Sequence, residues 1–238
     1  MQMAILEVNN LESGYGEVQI LWGVDLKLQE GRLTSLVGAN GVGKTTLLRS
    51  VMGSIKPWGG SVKFENQEIS QLPAYRKPDL GLVLVPEGRQ LFTSMSVNEN
   101  LEMGATNDRA RAHMQRNIQK VYRLFPRLEE RQSQQAGTLS GGEQQMLAVA
   151  RGLMAEPKVL MFDELSLGLA PVLVLNLFQT LRQLKEEGLT MLLVEQNVHL
   201  ALSISDYAYV LSEGKVTLEG PAEQVSKDKT VQQAYLGI

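Results

Sequence analysis

Three short runs hold the residue types needed for phosphate chemistry. "GANGVGKTT" (38–46) follows the apolar run "LTSLV" and opens a helical run, "TTLLRSVM". Its spacing is G-x-x-x-x-G-K-[ST], with Gly38, Gly43, Lys44 and Thr45 in the fixed places. In such a turn, backbone N–H groups and the positive end of the following helix converge on phosphate oxygens. Lys44 then spans the terminal phosphates, and the Thr45 hydroxyl is placed to hold a magnesium ion. "VLMFDE" ends an apolar strand in two carboxylates, Asp163 and Glu164. The first suits a second anchor for the ion, and the second suits a base that orients and deprotonates an attacking water. "LSGGEQQ" (139–145) is a second glycine-bearing turn before a helix, and it has no lysine of its own.

The surrounding pattern must position these runs. Ile5–Val8, Trp22–Leu28, Leu33–Val37, Val62–Phe64 and Leu82–Val85 read as strands, and Thr45–Met52 as a helix stopped by Gly53. Between Pro86 and Pro157 the character becomes helical. Ser96 and Glu99 form a capping-box pattern, and Met114, Ile118, Val121 and Phe125 recur at helical spacing. A helix is expected over Gly142–Ala155. Strand–helix alternation resumes with strand Val159–Phe162, helix Pro171–Glu187, strand Met191–Val194 and a short helix near His199–Ser203. A hairpin of Tyr207–Leu211 and Val216–Leu218 turns across "SEGK", and the stretch after Pro221 reads as a closing helix. The expectation is an α/β protein with a mostly parallel sheet, forming one domain over 1–238. Its nucleotide-binding core is 1–86 plus 157–238, and 87–156 is an inserted helical subdomain.

Composition narrows the classes. The 238 residues include no cysteine, which excludes disulfides, thiolate metal sites and cysteine nucleophiles. A net charge of −3 argues against a nucleic-acid partner. The N-terminal run shows no signal-peptide pattern. The apolar runs fall short of the roughly 20 residues that span a bilayer.

A phosphate loop, then "LSGGE", then an apolar strand ending in Asp-Glu resembles the ATPase subunit of an ABC transporter, and the resemblance covers essentially the whole chain. It implies a P-loop NTPase core with an N-terminal antiparallel β subdomain, and ATP and Mg2+ as cofactors. In that family two subunits face each other head to tail, each signature turn closing on the nucleotide held by the other's P-loop. The second cradle then needs no lysine, because the partner supplies it. The resemblance implies that Gly38, Ala39, Asn40, Gly41, Val42, Gly43, Lys44, Thr45 and Thr46 bind nucleotide from one subunit. Ser140, Gly141, Gly142 and Glu143 would bind it from the other. Tyr15 stands where the family stacks an aromatic ring on adenine. Lys44, Glu164 and Gln196 would be catalytic, and Thr45, Glu87 and Asp163 would hold the metal.

Several positions depart from the commonest family pattern. Glu87 stands in place of a glutamine, Gln196 in place of a histidine, and Leu165 and Ala170 in the loop after Glu164 replace proline and aspartate. With "VPEGR" and "SLGLAP", the first two substitutions resemble the LivF-type subunit of importers for branched-chain and other hydrophobic amino acids; the urea-importer subunit shares much of this wording. Leu165 departs even from that group. The implied partners are a second, different ATPase subunit (a homodimer being possible in isolation), membrane permease subunits and, indirectly, a solute-binding protein. The implied location is peripheral, on the cytoplasmic side of the inner membrane. A groove lined by 87–100, with Phe92, Met95 and Val97 near its mouth, would receive a permease helix. The rival readings are an ABC ATPase of nucleic-acid or translation machinery, a small-molecule P-loop kinase, and a binding protein that has lost hydrolysis.

Overall fold

The computed structural model describes residues 4–236. The chain begins with two long strands, β1 (Ala4–Tyr15) and β2 (Val18–Gln29), which pair as a hairpin. Both are longer than the apolar runs suggest. Register shifts between Val8 and Leu11, and again near Ser13, let the polar "NNLESG" stay in the strand as bulges instead of ending it. Strand β3 (Leu33–Val37) leads through the phosphate turn into helix α1 (Lys44–Val51). Then come β4 (Gly59–Phe64), the two-residue β5 (Gln67–Glu68), a short α2 (Lys77–Leu80) and β6 (Leu82–Val85).

The helical block contains α3 (Val97–Gly104), α4 (Asp108–Ala112), α5 (Met114–Leu124), α6 (Pro126–Glu130) and α7 (Gly141–Leu153). The alternation then continues with β7 (Val159–Asp163), α8 (Pro171–Glu186), β8 (Thr190–Glu195), α9 (Val198–Ile204), β9 (Tyr207–Ser212) and β10 (Lys215–Pro221). The closing segment is broken rather than one helix. Helix α10 (Ala222–Lys227) stops at Asp228, whose side chain caps a new turn by accepting from Thr230 and Val231.

Two sheets result. An antiparallel sheet has the order β2-β1-β4-β5. The main sheet runs β10-β9-β3-β8-β7-β6, with its five inner and far strands parallel and only β10 antiparallel. Side chains alternate across the main sheet, as period-2 geometry requires. Leu33, Val37, Leu160, Phe162 and Leu193 pack with the helical block and α8. Leu36, Val159, Met161, Leu192 and Val194 pack with α1 and the antiparallel sheet. Strands buried on both faces explain their unbroken apolar sequence. The phosphate-turn helix is thus clamped between two sheets, and the signature helix lies across the other face. No helix among the described residues is long and apolar enough to cross a membrane.

Candidate functional site

At the carboxyl end of β3 the chain turns tightly into α1. Gly43 has φ 110°, open to glycine alone at low cost, and a Cβ there would press on Leu21. It serves as the N-cap without a side-chain cap, so the first amides of α1 are left for a ligand. Lys44 is buried, with 4% exposure. Its ammonium donates to the carbonyls of Gly38 and Ala39, both at 2.9 Å, and lies 3.2 Å from Glu164 Oε1. The hairpin of β9 and β10 braces the turn from outside, Gly214 donating to the Val42 carbonyl at 3.0 Å.

Parallel pairing of β7 and β8 carries Asp163 to the same edge as the turn. Thr45 Oγ1 donates to Asp163 Oδ1 at 3.1 Å. Burial pushes the Asp163 carboxyl up to about 6; Glu164 and Glu87 add to that rise, and Thr45 and Arg49 oppose it. Among the described residues no three acidic, histidine or cysteine side chains are arranged to hold a metal ion. One hydroxyl and one carboxylate are what a magnesium ion takes from a protein when phosphate oxygens and water complete its shell, so the donor set fits. Glu87 is exposed on the loop after β6, close enough to raise Asp163.

Glu164 follows in the left-handed region, φ 48°, its amide donating to Val194 at 2.9 Å. Such a non-glycine position costs about 1–3 kcal/mol and tends to persist where surroundings fix it. Leu165 is fully buried and belongs to the core shared by the sheet and the helical block. Beside this loop lies an open cleft of about 420 Å³ between Glu164, Ser166, Gln196 and His199. Gln196 is exposed at the end of β8.

Tyr15 ends β1 beside α1. It is 44% exposed, and its hydroxyl is held by Thr46 Oγ1 at 3.4 Å and Arg49 Nη1 at 3.3 Å. The side chain is therefore partly exposed next to the phosphate turn.

The signature run is folded differently. Ser140 caps α7 in a reciprocal box with Glu143. The Ser140 amide and hydroxyl donate to Glu143 Oε2 at 2.9 and 2.7 Å, and the Glu143 amide donates back to Ser140 Oγ. Arg131 pairs with Glu143 at 2.9 Å. Burial pushes the Glu143 carboxyl up, but Ser140 and Arg131 outweigh it and hold it below its ordinary range. Gly142 is buried under Leu173 of α8, whose side chain would have to shift to admit a Cβ, while Gly141 is exposed beside the Arg89 guanidinium. Arg89 also donates to Gln144 at 2.8 Å. The phosphate turn, by contrast, touches Leu21, Asp163, Glu164 and the β9–β10 hairpin.

The groove expectation needs one correction. Phe92 is exposed, with Arg151 stacked on its ring at 5.3 Å, and Met95 is half-buried. Val97, however, is wholly buried, because the first turn of α3 faces the core. Three residues escaped the motif reading. Asn100 is buried and folds the loop back, exchanging hydrogen bonds with the Phe92 backbone and donating to the Ser96 carbonyl. Lys77 is buried and donates to the Val51 and Ile69 carbonyls at 2.8 and 2.7 Å. Glu195 is buried behind Ser166. Only Glu195 offered a sequence signal, a carboxylate inside an apolar strand.

The uncapped lysine-bearing turn and the Asp-Glu strand end define a P-loop ATPase. Residues 21–166 match the ABC transporter family. The chain belongs to that family and is its ATP-binding, ATP-hydrolysing component. It is 42% identical to BraG of Pseudomonas aeruginosa, a high-affinity branched-chain amino acid transport ATP-binding protein, over 98% of this chain and 100% of the relative. LivF of Archaeoglobus fulgidus, a probable protein of the same transport, is 37% identical over 98% and 99%. LptB of Haemophilus influenzae, the ATP-binding protein of a lipopolysaccharide export system, is 30% identical over 99% and 98%. Among solved structures, the ADP conformation of MJ1267, an ATP-binding cassette of an ABC transporter, superimposes with a TM-score of 0.85 at 29% identity over 100% of both chains.

Proposed function

We propose that this chain energises an importer of branched-chain or other hydrophobic amino acids, hydrolysing ATP in pockets shared between two ATPase subunits. The observation that carries the shared pocket is the pair of unlike helix starts. The α1 amides are uncapped and served by Lys44, whereas the α7 turn is already folded around Ser140 and Glu143 and has its own separate set of neighbours. A prefolded, lysine-free turn suits a surface that closes on phosphate gripped elsewhere. The solute class rests on the end-to-end likeness to BraG and LivF, together with Glu87 and Gln196.

In this reading Lys44 and the turn amides bind the terminal phosphates, and Tyr15 supplies a face for the base. Thr45 and Asp163, with Glu87 on the adjoining loop, would hold magnesium, which would neutralise phosphate charge. Glu164 accepts the proton of the attacking water, and Gln196 donates a hydrogen bond from the opposite loop. Glu164 sits 3.2 Å from Lys44, so phosphate that draws the ammonium away leaves the carboxylate free to act as a base. Ser140 and Gly141 complete the partner's pocket. Exposed Phe92 is the face offered to a permease helix in this reading, and the subunit works peripherally on the cytoplasmic side of the membrane.

Mixing tests the shared pocket. Chains carrying Lys44→Ala and chains carrying Ser140→Arg should each be nearly inactive. Combined, they should regain phosphate release, since one hybrid pocket keeps both intact parts. Absence of recovery, with each variant folded, removes the two-subunit reading. Co-purification with a permease and a receptor that binds leucine-like solutes tests the transport assignment.

A further inference from the structure

Glu195 is the last residue of β8 and is 1% exposed. Both of its oxygens serve one residue. Oε1 accepts the Ser166 amide at 2.9 Å and Oε2 accepts the Ser166 hydroxyl at 2.7 Å. The Gln196 amide also donates to this carboxylate. Burying a carboxylate is expensive, and an apolar side chain would fill the same space at lower cost. This one is spent on a single serine of the neighbouring loop.

That loop needs a restraint. It begins with Glu164 at φ 48° and contains Gly168 at φ 71°. Leu165 anchors it by burial but does not fix its own φ, as a cyclic side chain would. Beyond Glu164, its internal backbone bonds are long: Leu167 to Glu164 and Leu169 to Ser166, both 3.3 Å. The two charge-assisted bonds to Glu195 are shorter.

We propose that Glu195 is a positioning residue for ATP hydrolysis. By gripping both donors of Ser166 it holds the turn that aims Glu164, and it ties that turn to the Gln196 loop, so that the two edges of the 420 Å³ cleft keep one spacing. The proposal rests on Glu164 as the base, but the grip itself can be tested apart from that role.

The experiment compares Glu195→Gln, Glu195→Asp, Ser166→Ala and the double variant Glu195→Gln/Ser166→Ala with the parent chain. Amide exchange over residues 164–170 is read in dilute protein, and phosphate release from MgATP is read at working concentration. Glu195→Gln should speed exchange in this loop about tenfold or more and lower kcat roughly 10–10²-fold with KM changed less than about twofold, as expected for a misaimed base. Glu195→Asp should restore part of kcat. The double variant should be no worse than the poorer single variant, because both cut one contact. Exchange and kcat within about twofold of the parent in Glu195→Gln, or full additivity in the double variant, overturn the proposal. Should Glu195→Gln fail to fold, Ser166→Ala carries the same readouts. Parent hydrolysis that survives Glu164→Gln refutes the base instead, and loop exchange still judges the grip.

Discussion

The two helix starts to which we assign phosphate, at Gly43 and at Ser140, are built in opposite ways. The first has no capping side chain and surrounds its amides with a buried lysine, two backbone carbonyls and a strained carboxylate. The second pairs the Ser140 and Glu143 amides with each other's side chains, fastened by Arg131, and buries Gly142 beneath Leu173. One is a receptor whose polar groups find better partners in a ligand. The other is a finished surface, stable without one. In the proposed function, the difference separates where the nucleotide is held from what closes over it.

The largest expected effect lies on the receptor side. Glu164→Gln should lower phosphate release on the order of 10²–10⁴-fold, the worth of a positioned base. Nucleotide should still bind, and more tightly, because Lys44 loses its competing ion pair. Fluorescent-nucleotide titration alongside phosphate release checks both halves. Equal loss of binding and turnover would place Glu164 in the structural support of the turn.

On the finished side, Ser140→Ala should cost about 1 kcal/mol of stability through the lost cap. It should lower turnover on the order of 10²-fold, as for one preorganised donor to a phosphate. Nucleotide affinity measured on dilute, isolated chains should not move. Loss of that affinity in step with turnover would mean the turn serves its own chain's pocket, and the contrast between the two helix starts would lose its meaning.

The contrast extends to the far end of α1. Buried Lys77 donates to Val51 at the last turn, where a cation opposes the negative end of the helix. Lys77→Met leaves the Val51 carbonyl without a donor, takes one of two donors from the Ile69 carbonyl, and should destabilise the chain by about 1–3 kcal/mol in urea titrations. Burial lowers the ammonium from 10.5 to about 8. Between those values the unfolded chain binds the proton that the folded one has released, so stability rises with pH across that window. A variant without this slope confirms the source; an unchanged slope assigns it elsewhere.

How much could be read beforehand follows the same division. The phosphate turn, the Asp163–Glu164 strand end and the Ser96–Glu99 capping box were legible, because each is set by neighbours within a few residues along the chain; the Ser140–Glu143 box was passed over for a phosphate role. Strand limits were not. The bulges in β1 place polar Asn9 and Asn10 in a strand, and only pairing with β2 and β4 supplies the reason. Val97 was placed at a groove mouth by the family resemblance, which locates a segment without saying which of its side chains turn into the core. Lys77 and Asn100 were silent, and Glu195 showed only as a carboxylate in an apolar strand, for a similar reason. Each is a polar residue whose value lies in carbonyls or amides distant in sequence, at Val51, Phe92 and Ser166. The break at Asp228 in the closing segment is local chemistry that an Asp followed by Lys-Thr could have signalled.

The smallest effect probes whether the receptor side stores a cost that its ligand relieves. Asp163 titrates near 6 in the fold against 3.8 ordinarily, driven by burial with Glu164 and Glu87 nearby. Between these values the folded chain holds a proton that the unfolded chain has lost. Stability therefore falls as pH rises from 3.8 to 6, and the full cost remains above that. Asp163→Asn keeps the shape and removes the charge. Without divalent ion it should raise stability above pH 6 on the order of 1 kcal/mol, since the weakened Thr45 bond offsets part of the gain. Adding MgATP should reverse the ranking, stabilising the parent more than the variant, because only a carboxylate gains from the ion. Melting curves at pH 5 and 7.5, with MgATP or with chelator, separate these outcomes. A variant no more stable than the parent under chelator would mean that the carboxylate is already balanced by its own surroundings. The receptor side would then be as complete as the signature turn.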